Sequence, residues 1–323
     1  MTRRLVNAYK DIEEIRSRLY LQRWEWFESG VHERLHELKK LIDIDAGAEL
    51  HRHVVVSAIA ALQTFHRGTI VSIVDLGDEY KVRAAESITE KFSMKDALNW
   101  LSGKNVTFGE FVAHSAPCNS VNDLISRLDT LLACDTKKAL ADAIDPYDRR
   151  NGKDSPDRIV ADVDCLMADL AEAFRLRHIF AHEAAPFVKV SADGCLKLHG
   201  AVAKWVTAVN AILWATAFQH LPLTQCEMNM HASVEVIEAR KKLAKAMRKA
   251  LTGARTSGSA AWLRKNHFAW MNATMDWVRG TYGSLQGSMW PAVGGADLAK
   301  AIQTRAEQVI LWNESQNPGN SQD

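Results

Sequence analysis

The sequence predicts an all-α protein, and two observations carry that expectation. Apolar residues recur at intervals of three and four along most of the chain, which is the pattern of helices that each bury one stripe. Only 7 prolines interrupt the 323 residues, so few positions forbid a helix. At this length one hydrophobic core is stretched, and more than one domain is expected. The pattern divides into an N-terminal helical segment (1–44), a central bundle (45–221) and a basic, aromatic C-terminal module (222–323).

Each element follows from its own residues. Leu5, Ile12, Ile15, Leu19, Trp26, Leu35, Leu38 and Leu41 mark one or two charge-rich helices, with Gly30 as the expected break. Val54, Val55, Ala58, Leu62, Phe65 and Ile73 form the stripe of a second block, read as continuing towards Phe92. Gly103, Gly109 and Pro117 predict a loop over 101–117. Asn119 or Ser120 is placed to cap a helix whose stripe is Val121, Leu124, Ile125, Leu128, Leu131 and Leu132. The polar run Pro146 to Asp157 reads as a surface connection. A further helix begins with Pro156 in its first turn, buries Ile159, Val163, Leu166, Leu170, Ala173 and Phe174, and stops near His182 because Pro186 follows.

Val188 to Leu198, with Asp193-Gly194 at its centre, reads as a short β-hairpin or extended excursion. Trp205, Val209, Leu213, Trp214 and Phe218 mark a helix ending before Pro222. Glu227 to Leu251 is a long basic helix, Thr252 to Ser259 a break, and Trp262 to Tyr282 an aromatic helix. Gly283 to Gly295 reads as a turn, Ala296 to Trp312 as a last helix, and Asn313 to Asp323 as a disordered tail. Core packing is the first reading of the stripe Trp262, Trp270 and Trp277, whose exposed members would be able to stack on unpaired bases.

Composition narrows the function classes. Lys and Arg number 40 against 39 Asp and Glu, a net charge of +1. No apolar run reaches the roughly 18 residues that a membrane span needs, and the N-terminus does not read as a secretory signal. The expected setting is the cytoplasm, with no membrane association. Cys118, Cys134, Cys165, Cys195 and Cys226 form no C-x-x-C pair, so all five read as small buried hydrophobes in a reducing compartment. No metal or cofactor motif is present: H-E-x-x-H, G-x-x-x-x-G-K-[ST] and a two-metal carboxylate cluster are all missing. His51 and His53 are two residues apart and share no helical face, which argues against a metal pair. With His66 they are expected at the surface, or else one of them, or Glu49, lines a cleft.

The near-neutral total conceals a basic run. Arg240, Lys241, Lys242, Lys245, Arg248, Lys249, Arg255, Arg264 and Lys265 occur with no acidic residue between Glu238 and Asp276. A single-sign run of this kind is a candidate footprint for RNA, and Lys241, Lys245, Arg248 and Lys249 are the expected contacts. A solvated helix face is the plain alternative.

Chemistry is concentrated in Arg177-His178-Ile179-Phe180-Ala181-His182. An arginine fork clamps phosphate oxygens, and histidine moves a proton near neutral pH. Five residues correspond to about 500° of helix, so Arg177 and His182 point about 140° apart. A two-fold dimer that brings two such helix ends together would place both groups in one cleft. The reaction such groups support is attack of a ribose 2′-OH on its own phosphate, with His182 in proton transfer and Arg177 on the nonbridging oxygens. It requires no metal.

The segment from Phe174 to Glu183 resembles the R-x4-H signature of HEPN ribonucleases. The order of its surroundings, an amphipathic helix over 49–65, the loop Pro117-Cys118-Asn119-Ser120 with its helix, and then the motif helix, resembles the RiboL-PSP type of that family over roughly 45–221. The resemblance implies an up-and-down helical bundle, a homodimer and metal-independent RNA cleavage in toxin–antitoxin or antiphage-defence settings, with an antitoxin or regulatory protein as a further partner. By position it makes Arg177 and His182 the catalytic pair and His178 the auxiliary polar residue. Some HEPN domains only bind RNA or protein, so a non-catalytic helical adaptor is the alternative. In the C-terminal module, Cys226-Glu227-Met228-Asn229, Trp262-Leu263, Trp270, Thr304-Arg305 and Glu307 resemble LprI-like lysozyme-inhibitor domains. The arginine expected soon after Trp270 is missing, so the likeness implies a recognition or regulatory module and no inhibitor activity.

Overall fold

The structure, a computed structural model, describes residues 12, 14–15, 27–44, 47–86, 106–183, 187–254 and 256–316. The all-α expectation holds. Among the described residues there are twelve helices, and the β-structure is confined to one antiparallel bridge between Ile144 and Arg158. The chain divides into two compact units, Met1–Gln219 and His220–Asp323.

In the first unit, α1 (Phe27–Asp43) buries Val31, Leu35, Leu38 and Ile42. Gly30 lies inside this helix and does not break it. Helix α2 (Ala48–Val74) is the axis of the unit and packs against α1 and five later helices. Gly47 precedes it at φ +96°, a left-handed conformation that glycine adopts without strain. The most apolar stretch of α2 has mean hydropathy 1.3, and 72% of it is buried inside the protein. The helix stops at Val74 instead of continuing, and α3 (Asp78–Glu86) starts separately. Residues 87–105, where the continuation towards Phe92 and Gly103 fall, lie outside the described residues.

The expected loop over 101–117 contains a helix, α4 (Phe108–Ser115). Thr107 and Glu110 form a reciprocal capping box that satisfies two orphan amides at its start. Gly109 donates its amide to Asp75 Oδ1 at 3.0 Å, and a Cβ on Gly109 would lie 2.8 Å from that same oxygen. Glycine is therefore required there by close approach. Helix α5 (Val121–Leu132) is capped by Ser120, as expected, and buries the predicted stripe. Two short helices, α6 (Thr136–Ala141) and α7 (Pro146–Arg150), lead to the bridge at Arg158.

Helix α8 (Val163–His182) starts later than Pro156 suggested, because the Asp162 carboxylate accepts the Cys165 amide at 2.9 Å and sets the first turn there. It buries Leu166, Leu170, Ala173, Phe174 and Leu176. The expected hairpin around Asp193-Gly194 is instead the first turn of α9 (Ala192–Ala215). Ser191 Oγ accepts the Gly194 amide at 3.1 Å and caps that helix. Trp205 of α9 is fully buried, and His199 Nε2 donates to the Leu35 carbonyl at 2.8 Å, tying α9 to α1.

The second unit contains α10 (Gln225–Thr252), α11 (Ser257–Tyr282) and α12 (Trp290–Gln316). Ala239, Leu243, Ala246 and Ala250 of α10 meet Ala299, Ile302, Ala306 and Val309 of α12, and the alanines let the two backbones approach closely. Helix α12 starts six residues earlier than expected and takes in Gly294 and Gly295, which the sequence placed in a turn. A Cβ on Gly295 would lie 3.0 Å from Ala232 Cβ, and one on Gly294 would lie 3.1 Å from the Tyr282 ring, so both glycines serve packing. Asn313 to Gln316 extend the helix, while 317–323 lie outside the described residues.

Some burial expectations fail. Trp262 and Trp277 are exposed, and Trp270 alone of that stripe packs on the core. Cys118 and Cys195 are buried, whereas Cys165 and Cys226 are exposed. His51 and His66 are buried, not at the surface.

Candidate active site

The motif occupies the last turns of α8. Glu183 is extended, and its amide closes the final turn on the Ile179 carbonyl at 2.8 Å, so the helix ends at His182. Pro186, invoked for that ending, lies outside the described residues. His178 and His182 are exposed one turn apart, with ring centroids separated by 5.0 Å and planes tilted by 56°. Arg177 is half-buried.

Charge pairing leaves Arg177 distinct from its neighbour. Arg175 forms a two-point pair with Glu172, Nε and an Nη each 2.7 Å from a carboxylate oxygen. Among the described residues no carboxylate pairs with Arg177. Its guanidinium therefore keeps donors for an anion that the described residues do not supply. The structure brings His178 and His182 together directly, while helical geometry holds Arg177 about 140° from His182.

The first turn of α2 braces this helix end. The Arg52 guanidinium is 5.5 Å from the centre of the Phe180 ring, and its Nε and one Nη donate to the Val188 carbonyl at 3.2 and 2.9 Å. A further Nη donates to Glu49 at 3.0 Å. The adjacent His51 Nδ1 lies 3.1 Å from the Val190 carbonyl, where it can only donate. Thus two neighbouring α2 residues hold alternate carbonyls of the segment entering α9. Sequence reasoning missed Arg52. Its signal was a polar pair, His51-Arg52, at the head of an otherwise apolar helix.

The other histidines have local roles. His53 is exposed, with Nε2 3.3 Å from Ser57 Oγ on its own helix. His66 lies 13 residues further along α2, or about 20 Å at 1.5 Å per residue. Burial, reinforced by Arg127 and then Arg67, pushes its pKa down to about 3. Among the described residues no group of three or more His, Cys, Asp or Glu side chains is arranged to hold a metal ion.

The residues expected to contact RNA lie on α10 in the second unit, and all are exposed. Lys241 pairs with Glu238 at 2.7 Å, and Arg248 Nε reaches back to the Ala244 carbonyl at 3.4 Å. Lys245 and Lys249 join Lys242 along a groove between α10 and α12. Comparison with family models, curated proteins and solved structures finds no match to this chain.

Proposed function

We propose that the chain is a metal-independent endoribonuclease of the HEPN type, acting as a homodimer on cytoplasmic RNA in a toxin or antiphage-defence role. The observation that carries the reading is the α8 terminus: an arginine with no carboxylate partner among the described residues, beside two exposed histidines one turn apart.

Those groups cover what cleavage requires. A histidine accepts the ribose 2′-OH proton as O2′ bonds to phosphorus. A second proton donor supplies the departing O5′ as the P–O5′ bond breaks, leaving a 2′,3′-cyclic phosphate and a 5′-hydroxyl. Arg177 stabilises the charge growing on the nonbridging oxygens. His182 is the principal proton-transfer group and His178, in ring contact with it, the auxiliary one. Because Arg177 and His182 diverge on one helix, the arginine of one chain acts with the histidine of its two-fold partner.

Mixing Arg177→Ala chains with His182→Ala chains tests the composite site. Half of the dimers are then mixed and one cleft in each is intact, so about a quarter of wild-type activity returns. No recovery in dimers shown to have exchanged chains, or a strictly monomeric wild type, overturns the shared cleft.

A further inference from the structure

The lysines of α10 divide by direction. Taking Lys241 as the origin, Arg248 is about 20° away on one side, whereas Lys245, Lys249 and Lys242 lie about 40°, 80° and 100° round on the other, towards the buried face. Lys241 and Arg248 therefore crown the helix, while the other three form one wall of the groove against α12, with a volume of about 450 Å³. Its floor is apolar, made by Ala246, Ala306 and Ile310, the last 47% exposed. The opposite wall carries Glu307 and Glu314. Among the described residues none of these five charged side chains has an ion-pair partner.

We infer that this groove docks an acidic amphipathic helix of a partner protein, an inference that is independent of the nuclease reading. Three cationic positions spaced by three and four residues match carboxylates on successive turns of a helix laid alongside. The apolar floor accepts the aliphatic side chains between them, which a phosphodiester backbone does not offer. The two glutamates repel phosphate but would pair with a basic residue on the far edge of the docked helix, fixing its orientation. Single-stranded RNA suits the lysines alone and meets both the apolar floor and the glutamates unfavourably. A second copy docking through the same surface would oppose lysine to lysine.

The test uses the full chain and a labelled peptide of about 20 residues, long enough to be helical. It carries glutamates spaced by three and four, leucines on the adjoining stripe and one arginine beyond them. Fluorescence anisotropy should show binding that weakens by on the order of tenfold or more in the Lys242→Glu, Lys245→Glu, Lys249→Glu variant. A peptide with its glutamates changed to lysine should bind that variant better than it binds wild type, which loss of folding would not produce. Glu307→Lys with Glu314→Lys should weaken this peptide by opposing its arginine, and should tighten a version in which that arginine is changed to glutamate. Failure of the acidic peptide to bind, or equal binding by wild type and the lysine-reversed variant, overturns the inference. So does a single-stranded 2′-O-methyl RNA, which cannot be cleaved, if it outcompetes the peptide and loses affinity with the same lysine reversal.

Discussion

Lowering the pH should destabilise the first unit through His66. This side chain is 1% exposed, lies on α2 near Arg127 and Asp123 of α5, and has no hydrogen-bond partner for Nε2 among the described residues. Burial first, then the positive charges of Arg127 and Arg67, lowers its pKa from 6.5 to about 3, against a smaller opposing effect of Asp123. The folded protein thus binds fewer protons at this site than the unfolded chain does. His66 costs nothing well above pH 6.5, and stability falls as the pH drops from 6.5 towards 3. For a single site with these two values the loss between pH 7 and pH 4.5 is roughly 2–3 kcal/mol. Burial also lowers the pKa of His199, so the whole protein's acid response contains more than this one contribution. Substitution isolates it: His66→Leu removes the titrating group and leaves an apolar side chain of similar size in the buried site. Urea unfolding followed by circular dichroism at pH 7 and pH 4.5 should show the wild type losing roughly 2–3 kcal/mol more than the variant. Equal losses in the two proteins would refute the buried neutral histidine.

Two further perturbations probe the frame around the site. Arg52→Met keeps the length of the side chain but removes the donors to Val188 and the charge over Phe180; urea unfolding should show a loss of about 1–3 kcal/mol, and an unchanged midpoint would deny the brace. Gly109→Ala should destabilise by about 1–3 kcal/mol because its Cβ displaces the Asp75 carboxylate that accepts the same residue's amide; a variant as stable as wild type would show that α4 moves freely against Asp75.

Much of the fold was legible because helical periodicity is a local signal. The stripe from Val121 to Leu132, its Ser120 cap, the end of α8 at His182 and the span of α10 all follow from neighbours in sequence. The misplaced elements share a cause: capping side chains and tertiary contacts override the helix-breaking tendency of a nearby glycine or proline. Helix α4 announces itself by Thr107 and Glu110, a capping-box spacing hidden between Gly103 and Pro117. Asp193-Gly194 looks like a hairpin turn until Ser191 is recognised as the cap of α9. Gly294 and Gly295 lie within a helix because Tyr282 and Ala232 press against them, and contacts between distant segments leave no periodic trace. The same holds for the candidate site. Arg177, His178 and His182 stand out as a motif, but Arg52 lies 125 residues before Arg177, and only the fold places it beside Phe180. Likewise the basic run was visible, whereas the division of its lysines between the crown of α10 and a groove depends on where α12 packs.

The central claim is cleavage by Arg177 and His182, and the chemistry of the RNA ends tests it most directly. Purified protein should be incubated with total RNA in EDTA and the new termini mapped. The account predicts 2′,3′-cyclic phosphate and 5′-hydroxyl ends formed at an undiminished rate under chelation, with His182→Ala slower by about 10²–10⁴-fold and Arg177→Ala similarly impaired. Ends bearing 5′-phosphate, activity abolished by EDTA, or cleavage by both variants at the wild-type rate would contradict it.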